Sequence, residues 1–138
     1  MTVREKLKKP IIFSSTFATY SATHIIGGGG TGRIYEAVEE ESDHKWAIKC
    51  LDEVKISKEK IKRFKNELQF CMRNQHPNIL TVFDHGFVSE RSNKVPFYVM
   101  PLYSCSLRDM LSKRISSDKV LTYFGQVLNG VEAAHLQG

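Results

Sequence analysis

The sequence predicts an α+β fold, one antiparallel sheet followed by helices, and three observations carry that prediction. β-rich segments at 20–26, 33–38 and 45–51 follow one another across short glycine-rich or polar connections, the pattern of a hairpin meander. Segments at 57–74 and 118–136 space their apolar residues by three and four, the helical period. Strands and helices are grouped rather than alternating, which argues against a parallel βαβ sheet. With 138 residues the chain has room for one ordinary domain.

Taken in order, residues 1–19 are a basic lead-in with Arg4, Lys6, Lys8 and Lys9. The apolar run Ile11-Ile12-Phe13 breaks at once into Ser and Thr, too short for a signal-peptide core. No periodicity is sustained here, and the segment is expected to be partly mobile. Tyr20 to Ile26 reads as the first strand and Arg33 to Val38 as the second, with glycines between them. The polar stretch Glu40 to His44 is a turn, and Lys45 to Leu51 a third strand. Ser57 can cap a helix running to about Asn74, with Glu59 in the first turn where the helix dipole favours a carboxylate. Its apolar face is Ile61, Phe64, Leu68, Cys71 and Met72. Pro77 ends it, because proline disfavours helical geometry in the residue before it.

Strands at Ile79 to Phe87 and Val95 to Met100 follow, joined by a turn at Ser89 to Asn93, to give five in all. A short helix spans Ser106 to about Lys113. A second amphipathic helix spans Asp118 to Leu136, with Val120, Leu121, Phe124, Val127, Leu128 and Val131 on one face.

Composition excludes several classes. The hydrophobic content of 41% with 25% charged residues is that of a globular chain rather than a disordered one. Cys50, Cys71 and Cys105 are odd in number, far apart and without metal-ligand spacing; no disulfide framework or metal site is expected, and a reducing, cytoplasmic setting fits. No stretch reaches the ~18 apolar residues of a membrane span. The net charge of +5 raises a nucleic-acid reading. The excess between Lys45 and Arg73 follows helical spacing without interleaved aromatics, however, and reads better as a solvated helix face.

Ile25 to Tyr35 contains GxGxxG at Gly27, Gly29 and Gly32. Bare backbone of this kind can approach phosphate oxygens and donate N–H bonds, although a glycine-rich hairpin with no ligand satisfies the same pattern. A Walker A loop requires Lys and then Ser or Thr after the last glycine, where Arg33 and Ile34 stand. A dinucleotide fingerprint requires a helix to open after the glycines, where the β-rich RIYEAV stands. The remaining phosphate-binding reading joins two antiparallel strands and draws a lysine from the next.

The candidate for that lysine is Lys49, which shares a strand face with Ala47 while Trp46 and Ile48 take the other, although an exposed strand lysine with no ligand satisfies the same pattern. Glu67 lies among the apolar positions of the first helix, three residues after Phe64 and one before Leu68. A carboxylate stripped of water there requires a cation. Lys49 is the natural candidate, against the alternative that Glu67 sits at the edge of the stripe and reaches water.

Together these residues resemble the protein kinase family from about Tyr20 to Gly138. Ile26, the glycines and Ile34 resemble its GxGxxGxV signature, Ala47 to Lys49 its AIK, and Glu67 stands where the family's helix supplies the lysine's partner. HPNIL at 76–80 and FYVMPLYSCSLRDML at 97–111 resemble the connections that follow. The resemblance implies a kinase-like N-terminal lobe at 20–103, a five-stranded antiparallel sheet with one regulatory helix, and helices of an incomplete C-terminal lobe at 104–138.

It further implies ATP as ligand. Gly27, Gly28, Gly29, Gly30, Thr31, Gly32 and Arg33 would lie over the phosphates, and Ile26, Ile34 and Ala47 would lie against adenine. Met100 would stand at the back, Pro101 to Tyr103 would form the hinge, and Lys49 and Glu67 would act as the catalytic pair. Pro101 departs from the acidic residue often found there, but keeps the carbonyl the hinge uses. Thr31 replaces a common aromatic, and Gly28 and Gly30 are expected to loosen the loop.

The sequence holds no HRD or DFG segment, and so no residues of the kind that hold Mg²⁺ in the full-length family. The implied activity is therefore serine/threonine phosphotransfer in a longer form, with this chain alone expected to be inactive. Two alternatives from other classes are a short nucleotide-binding or pseudokinase-like interaction module, offering its Val120 to Val131 face to a partner, and the nucleic-acid binder.

Overall fold

The computed structural model describes residues 4–29, 32–52, 56–90 and 93–136. The described residues form strands β1 (Glu5–Ser14), β2 (Thr19–Gly29), β3 (Gly32–Glu39), β4 (Lys45–Cys50), β5 (Asp84–Glu90) and β6 (Asn93–Pro101). The helices are α1 (Lys58–Arg73), between β4 and β5, and α2 (Leu107–Ser112) and α3 (Ser117–Leu136), after β6. All six strands lie in one antiparallel sheet of order β1-β2-β3-β4-β6-β5.

The α+β class and the five expected strands are present, and the correction is the sixth. The lead-in at 1–19, expected to lack regular structure, supplies β1. Phe13 pairs with Tyr20 and Ser14 with Thr19, and Leu7, Ile11 and Phe13 turn toward the core. The step from Leu7 to Ile11 spans four residues because the register shifts between Lys6 and Ile11. Pro10 falls in that interval. Proline removes a ladder donor and is tolerated on an edge strand or at a bulge, and β1 is both.

A second correction concerns the strand expected from Ile79 to Phe87, which begins only at Asp84. Residues 79–83 are irregular, and their apolar character serves side-chain burial instead. Leu80 and Val82 pack on the core, and the Phe83 ring stacks on Trp46 with centroids 4.2 Å apart. The β5–β6 ladder continues to the pair Glu90 and Asn93, so Ser89, Glu90 and Asn93 of the expected turn belong to the strands, and Arg91 and Ser92 lie outside the described residues.

β1 and β5 are opposite edges of the sheet by order, yet they touch. The sheet is therefore strongly curled, with Phe13 inside it against Tyr35 and Phe97 at centroid distances of 5.6 and 5.1 Å. Asp84 fastens this seam. It is buried and accepts hydrogen bonds from the hydroxyls of Tyr20, at 2.7 Å, and Ser15. Ser15 Oγ in turn caps the β1–β2 turn by accepting from the Phe17 and Ala18 amides, each at 3.0 Å.

α1 begins at Ser57 as the sequence predicts, with the Ser57 hydroxyl accepting from the Lys60 amide at 3.2 Å. Phe64 is its fully buried residue, Ile61 and Leu68 are partly buried, and Met72 is exposed. α2 opens with a capping box of Ser106 and Asp109. α3 backs onto the turn after α1 through Gly130, where a Cβ would stand 2.6 Å from the Asn78 carbonyl oxygen. Its apolar residues from Val120 to Val131 are largely exposed.

Candidate functional site

The register of the central strands determines which side chains meet. Ile34 pairs with Lys49 and Glu36 with Ala47 across β3 and β4, while Ala47 pairs with Met100 and Lys49 with Tyr98 across β4 and β6. Directly paired residues share a face and positions two apart share it too. Ile34, Glu36, Ala47, Lys49, Tyr98 and Met100 therefore line one face of the sheet.

The glycine hairpin closes one end of this face. Gly27 pairs with Ile34, Gly28 with Arg33 and Gly29 with Gly32, and Gly30 and Thr31 lie outside the described residues. Packing requires the absence of a side chain at Gly32 but not at Gly27, Gly28 or Gly29. A Cβ on Gly29 would meet nothing within 4 Å, and on Gly27 or Gly28 it would make ordinary contacts of 3.6 Å or more. Three successive glycines thus leave accessible backbone that the fold itself does not demand.

Beneath the hairpin is an open-sided cleft of about 1350 Å³. Of the residues singled out from the sequence, Ile26, Gly27, Gly28, Arg33, Ile34, Ala47, Met100, Pro101 and Tyr103 line it. Gly29, Gly32, Lys49 and Glu67 are not in its lining. Lys49 follows Ala47 along β4, on the same face.

There the Lys49 Nζ stands 2.7 Å from Glu67 Oε1. The cation that the placement of Glu67 demanded is thus Lys49, brought to it by α1 lying against the sheet. The Tyr98 hydroxyl donates to the same oxygen at 2.6 Å. Burial by itself would raise the Glu67 pKa, but the hydrogen bonds from Lys49 and Tyr98 and the lysine's charge outweigh it and hold the carboxyl below the usual range. Burial, and then the adjoining carboxylate, push the Tyr98 phenol far above its ordinary value, so it remains a donor. The Cys71 thiol, also on α1, is pushed up by burial and by Glu67.

Among the residues of this site that escaped the sequence reading are Tyr98, Glu36 and Arg4. Tyr98 could have been found from register, since pairing Ala47 with Met100 obliges Lys49 to face Tyr98. Glu36 lies two residues beyond Ile34 on the cleft face, and is buried. Arg4, the residue before the unforeseen strand, reaches the same cleft and places its guanidinium 2.7 Å from Glu36 Oε2. The contact compensates charge without hydrogen-bond alignment. His24 and Lys45 approach the same carboxylate at 3.6 and 4.0 Å. No signal in the lead-in points to Arg4.

Apolar walls at Ile26, Ile34, Ala47 and Met100, bare hairpin backbone and a fixed ammonium suit a ligand with a flat apolar part and an anionic part.

The protein kinase domain model matches residues 20–138, leaving β1 before the matched span. The chain is 30% identical over 121 residues to CBL-interacting protein kinase 12 of Oryza sativa subsp. japonica. It is 31% identical over 122 residues to mitogen-activated protein kinase 13 of Bos taurus, and 27% over 130 residues to serine/threonine-protein kinase STK11 of Homo sapiens. These alignments take in 86%, 87% and 86% of this chain but 22%, 33% and 28% of the relatives, so the chain spans a third or less of their length.

Proposed function

The chain belongs to the protein kinase family, and from that premise we propose that it is the ATP-binding part of a serine/threonine kinase. In this reading a longer form transfers the γ-phosphoryl group of ATP to a protein hydroxyl. The observation that carries the reading is the 2.7 Å pair of Lys49 and Glu67, set behind a hairpin in which Gly27, Gly28 and Gly29 have no packing reason to be bare.

The residues present fit the nucleotide. Ile26, Ile34 and Ala47 take the faces of the base, Met100 the back of the cleft, and the Pro101 carbonyl and Tyr103 backbone its polar edge. Backbone N–H groups from Gly27 to Arg33 serve the phosphates. Lys49 supplies a point charge to them, and Glu67 keeps its ammonium from wandering. Bound ATP would supply the transferable group and Mg²⁺ the charge neutralisation. The sequence has no HRD or DFG segment to hold that metal or accept the substrate proton. This chain alone is therefore expected to bind without turning over.

Calorimetric titration of ATP into the chain tests the reading. Lys49→Met should weaken binding by about tenfold, as expected for a charge-assisted contact, and labelled ATP should remain unhydrolysed. Equal affinity of Lys49→Met and the unsubstituted chain would remove the assignment. A second reading, a partner seated on α3, is favoured by the exposure of Leu121, Phe124 and Leu128, at 72, 60 and 51%. A monodisperse monomer that captures no partner would argue against it.

A further inference from the structure

Glu67 Oε1 receives two donors, Lys49 at 2.7 Å and the Tyr98 hydroxyl at 2.6 Å. They differ in rigidity. Lys49 reaches Glu67 through a long chain of single bonds, whereas Tyr98 sits on β6 between β4 and β5 and is 1% exposed. Its phenol has no freedom to follow α1 outward.

α1, by contrast, is held lightly. Its fully buried residue is Phe64, and the Glu67 side chain retains 36% of its exposure. Tyr98 grips the helix twice, through its ring on Phe64 at a centroid distance of 5.2 Å and through its hydroxyl on Glu67. The helix and the carboxylate thus share one strand residue as a support.

We propose that Tyr98 is a positioning residue that holds Glu67, and through it Lys49, in the ligand-binding arrangement. The proposal rests on the ATP reading above. An ammonium that turns toward an anionic ligand gives up part of its contact with Glu67, and a partly buried carboxylate left with less compensation resists that turn. The hydroxyl supplies a second, permanent donor and lets Lys49 be shared. Burial and the adjoining carboxylate hold the phenol's pKa well above its ordinary value, so at neutral pH it remains a donor. The charged and titratable groups facing Glu67 are Lys49 from β4, Tyr98 from β6 and the Cys71 thiol from α1 itself.

A packing role for the ring alone would be served equally by phenylalanine, so Tyr98→Phe isolates the hydroxyl. ATP titrations on the 138-residue chain compare the unsubstituted protein, Tyr98→Phe, Glu67→Gln and the double variant, and ¹³C NMR follows the Glu67 carboxyl with pH. Tyr98→Phe should weaken ATP binding about three- to tenfold and raise the Glu67 midpoint, with no further loss when added to Glu67→Gln.

Unchanged affinity, or an equal loss in both backgrounds, overturns the role of Tyr98 while leaving the ATP reading intact. Failure of the unsubstituted chain to bind ATP overturns that reading and this role with it. Should Tyr98→Phe not fold, the unsubstituted chain still decides. Its Tyr98 hydroxyl proton should exchange slowly and respond as Glu67 titrates, and a freely exchanging proton overturns the contact.

Discussion

Gly32 has φ of +147°, and a Cβ there would stand 2.3 Å from the Cys50 carbonyl oxygen. Cys50 is paired with Arg33 in the β3–β4 ladder, so its carbonyl cannot yield without disturbing that ladder. Gly32→Ala should cost about 2–4 kcal/mol, combining backbone strain with the displaced strand, read as a lower urea midpoint. Gly29→Ala, in open space, should leave stability within about 0.5 kcal/mol yet weaken ATP binding by intruding on the ligand's approach. An unaltered affinity in Gly29→Ala would count against phosphates lying at this hairpin. At this scale the sequence was informative where one residue imposes a demand on another. Glu67, placed on an apolar stripe, required a cation, and Lys49 meets it. Tyr98 imposes no such demand from its neighbours in sequence, since a tyrosine in an apolar strand is explained by packing alone. Its partner appears only when β4 and β6 are set in register.

Among the elements, β1 has the greatest structural consequence. It brings Phe13 into the curled sheet, where the ring is 1% exposed. It also brings the Ser15 turn to Asp84, joining the two edges that the strand order leaves apart. Phe13→Ala should therefore destabilise by about 3–5 kcal/mol, the range for removing a buried ring. Ile12→Ala, at 50% exposed on the opposite face, should cost under about 1 kcal/mol. Equal effects in thermal melts would mean that β1 is not part of the core. The strand was illegible because its alternation is interrupted at the bulge containing Pro10 and its outward positions form a run of lysines. Residues 79–83 misled in the opposite direction, since apolar residues there fill the core from an irregular segment. α1 and α3 were legible because helical spacing persists over many residues and, for α1, a cap residue marks the start.

For the whole molecule, two tyrosines lie at the two seams. Tyr20 ties the β1–β2 turn to β5 through Asp84, and Tyr98 ties α1 to the sheet through Glu67. Burial and a carboxylate partner raise both phenols well above their ordinary value near 10. The unfolded chain therefore releases these protons first. Stability from both groups is fully present below about pH 10 and falls as pH rises beyond it, by up to about 1.4 kcal/mol per pH unit for each phenol. Glu67 acts with the opposite sign. Its lowered pKa contributes stability that is present above the unfolded carboxyl value of about 4.3 and is lost as pH falls below it. Urea midpoints measured from pH 3 to 11 should thus show a plateau with an acid limb and an alkaline limb. Tyr20→Phe with Tyr98→Phe should flatten the alkaline limb and lower the plateau, because Asp84 and Glu67 each lose a donor. Glu67→Gln should flatten part of the acid limb and, by removing the carboxylate beside the Tyr98 phenol, part of the alkaline limb as well. An alkaline limb of unchanged slope in the double phenylalanine variant would show that the seams open for some other reason than tyrosine ionisation.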